Sequence, residues 1–152
     1  MEITDLLRED VVTVYLDDSV LDVAAVLREE GVGSAVVLDA HDEVLGIVTD
    51  RDLVVYGQEF VDSLEQTTVN QVLSMTVFSV APDVSVRELT ERMREAGVRR
   101  VPVMEDEELL GIVTLDDIVV HLAGQLDSRE LANLAAVIEG ESPPREDTEP
   151  NL

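Results

Sequence analysis

The sequence predicts a mixed α/β (α+β) chain. One strand-helix-strand-strand-helix unit occurs twice, each copy giving a three-stranded sheet with helices on one face. Three observations predict this. The heptad Gly46-Ile47-Val48-Thr49-Asp50-Arg51-Asp52 returns as Gly111-Ile112-Val113-Thr114-Leu115-Asp116-Asp117. A shift of 66 positions lays Ile3, Leu6, Leu7, Val14, Asp17, Ser19 and Val20 over Val69, Val72, Leu73, Val80, Asp83, Ser85 and Val86, and the shift becomes 65 after one residue is lost near Ala40. Within each copy, short β-branched runs alternate with stretches of helical periodicity. The copies span residues 1–57 and 67–124.

In the first copy, Val11-Val12-Thr13-Val14 is a run short enough for a strand, and Asp17-Asp18-Ser19 breaks it. Ser19 opens a helix whose apolar positions Val20, Val23, Ala24 and Leu27 keep helical spacing and which Gly31 ends. Ala35–Leu38 reads as a buried strand, Asp39–Glu43 as an acidic turn, and Val44–Val48 as the returning strand of a hairpin. Helical spacing resumes after Thr49 through Leu53, Val54 and Tyr56.

The second copy repeats this grammar. Ser85 and Glu88 form a capping box, Val86, Leu89 and Met93 make the apolar stripe, and Gly97 closes the helix. A short helical lead precedes each copy, Ile3–Arg8 and Val69–Leu73. Residues 58–66 hold neither Gly nor Pro and read as an ordered connector or helix extension.

Residues 125–138 give a C-terminal helix, amphipathic over 128–138, with Leu131, Leu134, Ala135 and Ile138 on one face. That face either docks on its own domain or contacts a partner. Residues 139–152 form an acidic tail with too little apolar surface to order itself.

Charge narrows the function. Against 34 Asp and Glu stand 10 basic residues, all Arg, for a net charge of -24. Both copies share the acid. Such a surface repels itself in dilute buffer, and molar salt, with a Debye length of about 3 Å, removes most of that cost. The composition therefore predicts a cytoplasmic protein of a salt-accumulating, haloarchaeal-type cell. No basic stripe exists to bind nucleic acid. With no Cys there is no disulfide, thiol nucleophile or thiolate metal site. No apolar run reaches the roughly 18 residues that cross a bilayer, and the acidic N-terminus is unlike a signal peptide.

Thr49 with Asp52, and Thr114 with Asp117, carry two compatible readings. Thr-x-x-Asp at a strand-to-helix turn is a cap, the hydroxyl accepting a first-turn amide and the acid favouring the positive end of the helix. The same geometry offers a hydroxyl and free amides to phosphate and a carboxylate to the two hydroxyls of a ribose. His41 and His121 lack a matching ligand spacing, and Glu105–Glu108 lacks fixed geometry, so no metal site is assigned. No nucleophile stands beside a base, so no catalytic residue is assigned and an enzyme is not expected.

The paired Gly-Ile-Val-Thr-x-x-Asp motif, following the order strand-helix-strand-strand, resembles two cystathionine-beta-synthase (CBS) domains in tandem, a Bateman module. The resemblance covers residues 1–124 and implies a pseudo-twofold pair of repeats with ligand clefts between them. It implies that Asp52 and Asp117 hold the ribose of an adenine nucleotide or S-adenosyl group, with Thr49 and Thr114 near phosphate. Adenine would lie against the backbone of Thr13-Val14 in one site and Ser79-Val80 in the other. Arg99 and Arg100 lie where related modules place a cation toward the cleft; copy one has Gly33 and Ser34 there, and Arg51 is the cation beside its motif. The two arginines then serve one site, or phosphates meeting midway between sites, or simply pair with nearby carboxylates.

The expected function is a stand-alone regulatory module sensing AMP, ADP, ATP or S-adenosylmethionine, with no required cofactor. The alternative is a protein-interaction scaffold with degenerate or empty clefts, docking an unidentified regulated protein through the Leu131–Ile138 face. The resemblance also implies a homodimer, for which Leu53, Val54, Ile118 and Val119 are candidate contacts, unless they belong to the protein's own core.

Overall fold

The computed structural model describes residues 2–73, 78–125 and 129–141. It falls into two compact units, Met1–Thr114 and Leu115–Leu152.

In the first unit, β1 (Thr13–Tyr15), β2 (Ser34–Leu38) and β3 (Val44–Thr49) form a sheet in the order β1-β2-β3. β1 runs parallel to β2, and β2 antiparallel to β3. The parallel step needs a crossover, supplied by α1 (Val20–Glu30). Ser19 starts it by accepting the Asp22 N–H at 3.1 Å, and Gly31 ends it at φ 62°, where a side chain would be strained. Alternate strand residues Ala35, Val37 and Val48 share a core with Val14, with Val20, Val23 and Leu27 of α1, and with Leu53 of α2 (Asp50–Val55). Ala24, expected on the apolar stripe, is exposed.

The hairpin between β2 and β3 turns through Asp42 at φ 62°. Asp39 Oδ1 accepts the N–H groups of His41 (2.8 Å) and Glu43 (3.0 Å). Donation from Glu43, then from His41, holds the Asp39 carboxyl below its ordinary range. The connector is ordered as a 3-10 helix, Gly57–Ser63, and the buried Thr67 hydroxyl donates to Ser63 O at 2.9 Å.

The second copy contains α3 (Val69–Val72), α4 (Val86–Ala96), β4 (Arg100–Glu105) and β5 (Glu108–Thr114). Ser85 caps α4 by accepting the Glu88 N–H at 3.2 Å, and Gly97 closes it at φ 67°. The Glu88 carboxylate does not complete the expected box. It pairs with Arg92, one turn on.

β4 and β5 pair antiparallel, and among the described residues a parallel bridge, Val80 with Val103, stands in place of the expected third strand. Two prolines account for the difference. In copy one the parallel ladder is extended by Val36 N–H to Val12 O and Leu16 N–H to Leu38 O, both 2.9 Å. The equivalent residues are Pro102 and Pro82, which have no N–H to donate. What survives is Val80 N–H to Pro102 O (3.1 Å) and Met104 N–H to Val80 O (2.8 Å).

The copies exchange their leads. Ser19 bridges Thr68, Val20 N–H donates to Thr67 O and Val69 N–H to Asp18 O, so Val69, Val72 and Leu73 finish the core of copy one. The 3-10 helix Ile3–Leu6 does the reciprocal thing. Glu2 bridges Ser85, the equivalent of Ser19, and Arg8 bridges Ile112 on the free edge of β5.

The second unit is a pair of mutually packed helices, α5 (Leu115–Gln125) and α6 (Arg129–Glu141). On α6, Leu131, Ala135 and Ile138 are half-buried, while Leu134 and Val137 are 54% and 67% exposed. Of the four candidate dimer contacts, Leu53 and Ile118 are buried, Val119 is half-buried, and Val54 is 73% exposed. The expected tail beyond residue 141 lies outside the described residues.

Candidate functional site

The motif of copy one is built by its own cap. Thr49 ends β3 with an extended backbone, and its Oγ1 accepts the Asp52 N–H at 3.2 Å. Asp52 Oδ2 accepts the Thr49 N–H at 2.9 Å. This reciprocal box realises the capping reading, and it also locks the rotamer of a half-buried carboxylate. Asp52 Oδ1 has no hydrogen-bond partner among the described residues. Arg51 is exposed, and its N–H donates to Asp50 Oδ1 at 2.8 Å.

In copy two, Thr114 is the last residue of β5, in register with Arg100 of β4, and Asp117 lies in the first turn of α5; both are half-buried.

The strand residues expected against adenine lie on β1 in copy one and at the bridge to β4 in copy two. Val14 is 3% exposed and Thr13 is exposed on β1, and β2 separates them from Thr49 by two strand spacings, about 10 Å in all. In copy two Val80 is buried and Ser79 exposed, beside an open groove of about 440 Å³ walled by Glu88 and Arg92 of α4.

The contact that the sequence did not reveal joins the copies. β3 and β4 lie against each other, and Arg100, half-buried at the start of β4, reaches the motif of copy one. A Cβ built on Gly33 would stand 3.3 Å from Asp50 Oδ2 and 3.5 Å from Arg100 Nη2. The Asp50 N–H donates to Gly33 O at 2.9 Å. Arg100 therefore lies beside the turn that carries Thr49 and Asp52, whereas its neighbour Arg99 is exposed. The available signal was the mismatch itself: copy one has Gly where copy two has Arg99, and the glycine leaves room for an arginine from the other copy.

Among the described residues no three His, Cys, Asp or Glu side chains converge as a metal site, and no helix is long and apolar enough to cross a membrane.

Two intertwined repeats, each ending a hairpin in Thr-x-x-Asp, define a tandem repeat module, and comparison with known proteins gives its family. The CBS domain model matches residues 3–59 and 69–124, and the chain belongs to the CBS domain family. It is 34% identical over 142 residues to the uncharacterized protein YlbB of Bacillus subtilis, covering 93% of this chain and 94% of that protein. It is 32% identical over 120 residues to the uncharacterized protein MK0525 of Methanopyrus kandleri, covering 78% of this chain but only 61% of that relative's length. The fold is shared with the CBS domain pair of protein MJ0100 in complex with 5′-methylthioadenosine and S-adenosyl-L-methionine. The TM-score is 0.71 at 22% identity, over 83% of this chain and 98% of that one.

Proposed function

We propose that this chain is a regulatory module that binds an adenosyl compound, AMP, ADP, ATP or S-adenosylmethionine, at its Thr-x-x-Asp motifs, and that it is not an enzyme. The observation that carries the reading is the state of Asp52. One oxygen is spent on the Thr49 cap, and the other has no partner among the described residues. A fixed carboxylate with an available oxygen suits a ribose hydroxyl. Support also comes from MJ0100, whose CBS pair is crystallised with two adenosyl ligands.

In this reading residues 1–57 and 67–124 are the repeats, 58–66 the connector and 125–138 the C-terminal helix. Asp52 and Asp117 hold ribose, Thr49 and Thr114 stand near phosphate where the ligand carries one, Arg51, Arg99 and Arg100 supply cations, and Thr13-Val14 and Ser79-Val80 face adenine. The protein works in the cytoplasm of a salt-accumulating cell, as a homodimer.

Calorimetric titration of the four ligands in about 2 M KCl, where surface charge is screened, tests it. Saturable binding is expected for the native chain and a loss of about tenfold for Asp52→Asn, which keeps an oxygen for the cap while removing an acceptor. Asp117→Asn reports on the other motif. No heat from folded protein with any of the four would refute the reading.

The exposed Leu134 and Val137 on α6 favour a second reading, an interaction scaffold docking another protein through this helix. Wild-type affinity for such a partner in a Leu134→Ala, Val137→Ala double variant would refute it.

A further inference from the structure

The charges flanking Gly33 complement an amino acid better than a phosphate chain. Asp50 Oδ2 and Arg100 Nη2 both stand by the position that a Gly33 side chain would fill, 3.3 and 3.5 Å from it. They do not close into an ion pair with each other, and Arg100 has no other ion pair among the described residues. Asp50 is anchored by its N–H on Gly33 O (2.9 Å), and its Oδ1 accepts the Arg51 N–H (2.8 Å), which leaves Oδ2 at the gap. Arg100 is held on β4, in register with Thr114 of β5.

A guanidinium takes a carboxylate through two parallel N–H donors, and a carboxylate takes an ammonium. An α-amino acid carries both partners on one carbon. A phosphate chain would gain the Arg100 contact but meet Asp50 as a like charge at short range, where salt screens least. Asp50 directly follows Thr49, so this jaw adjoins the carboxylate assigned above to ribose.

We propose that the copy-one site selects an adenosyl ligand bearing a free amino-acid end, of the S-adenosylmethionine or S-adenosylhomocysteine class. Arg100 receives the α-carboxylate and Asp50 the α-ammonium, which makes both specificity-determining residues, with Gly33 keeping the gap open. The inference rests on the adenosyl reading of the motif.

Titration of S-adenosylhomocysteine, 5′-methylthioadenosine, adenosine and AMP in about 2 M KCl tests it. The first two share an adenosyl thioether and differ by the amino acid. S-Adenosylhomocysteine is expected to bind at least about tenfold tighter than 5′-methylthioadenosine, as one charge-assisted contact or more implies. Asp50→Asn should remove most of that ratio, leave 5′-methylthioadenosine unchanged and strengthen AMP. Arg100→Gln should weaken S-adenosylhomocysteine and AMP together. Equal affinity for the two thioethers, tighter AMP than S-adenosylhomocysteine, or an unchanged ratio in Asp50→Asn would overturn the inference while leaving the adenosyl reading standing. Failure of all four compounds with folded protein would overturn both.

Discussion

Arg8 and Ile112 exchange both of their backbone hydrogen bonds, at 2.9 and 3.0 Å, directly beside Gly111. The approach is so close that a Cβ on Gly111 would lie 2.3 Å from Arg8 O and 2.9 Å from Leu7 Cδ1. The equivalent residue, Gly46, is in a different position: its nearest neighbour would be Leu73 Cδ1 at 4.0 Å, an ordinary contact. Two glycines at the same place in a repeated motif thus serve different ends.

Alanine at the two positions should separate them. Gly111→Ala must push the backbone of the first lead off β5 and is expected to cost about 2–4 kcal/mol, in the range of strained or overpacked core substitutions. Gly46→Ala fits as built and should fall between neutral and about 1 kcal/mol stabilising, because alanine restricts the unfolded chain. Denaturant unfolding of both variants in about 2 M KCl measures the difference; equal costs would contradict the geometry.

Pro102 offers a second asymmetry. Pro102→Val restores an N–H at the position where Val36 donates to Val12 O in copy one. The new amide should reach the Phe78 carbonyl and resist exchange with solvent. The gain of about 0.5–1.5 kcal/mol for a hydrogen bond is partly offset by the lost rigidity of proline. Hydrogen exchange at residue 102 reports it directly, and rapid exchange there would show that the bridge at Val80 does not extend.

Tyr15 gives a prediction in pH. Its hydroxyl donates to Asp42 Oδ1 at 2.9 Å, and that bond, with the charge of Asp42, raises the phenol above its ordinary value. A raised folded-state value means that the native protein holds this proton more tightly than the unfolded chain. The contribution to stability is fully present below the ordinary tyrosine value of about 10 and is lost as pH rises through the folded-state value. Spectrophotometric titration should show Tyr15 ionising above the ordinary tyrosine range, and Asp42→Asn should bring it down. An unchanged Tyr15 titration in that variant would remove the assigned cause.

What was legible in the sequence is what is decided locally. Ser19 as a cap, Gly31 and Gly97 as terminators and the Asp39–Glu43 turn each depend on a few adjacent residues and are found as read, while Ser85 caps its helix without the expected reciprocal bond from Glu88. The Thr49–Asp52 box was legible as a cap for the same reason. The exchange of leads was not, because Ile3 and Val69 are interchangeable by pattern, and periodicity does not record which of two similar cores receives which segment. Nor was the gap between Asp50 and Arg100, which exists only once β3 and β4 adjoin. The reduction of the third strand of copy two to a bridge at Val80, among the described residues, could have been read from Pro82 and Pro102, whose missing donors are a property of the sequence.

The reciprocal docking of the leads also sets an order of events during synthesis. The core of copy one includes Val69, Val72 and Leu73, so it stays incomplete after the whole of that repeat has left the ribosome. The Arg8 edge can find its place only when Ile112, far downstream, emerges. Contacts of such sequence separation slow folding by the entropy of closing large loops, and a nascent chain ending in the connector exposes apolar surface that the finished protein hides. The repeats are copies in sequence yet are not independent folding events: copy one waits for the lead of copy two, and the lead of copy one waits for the last strand of copy two.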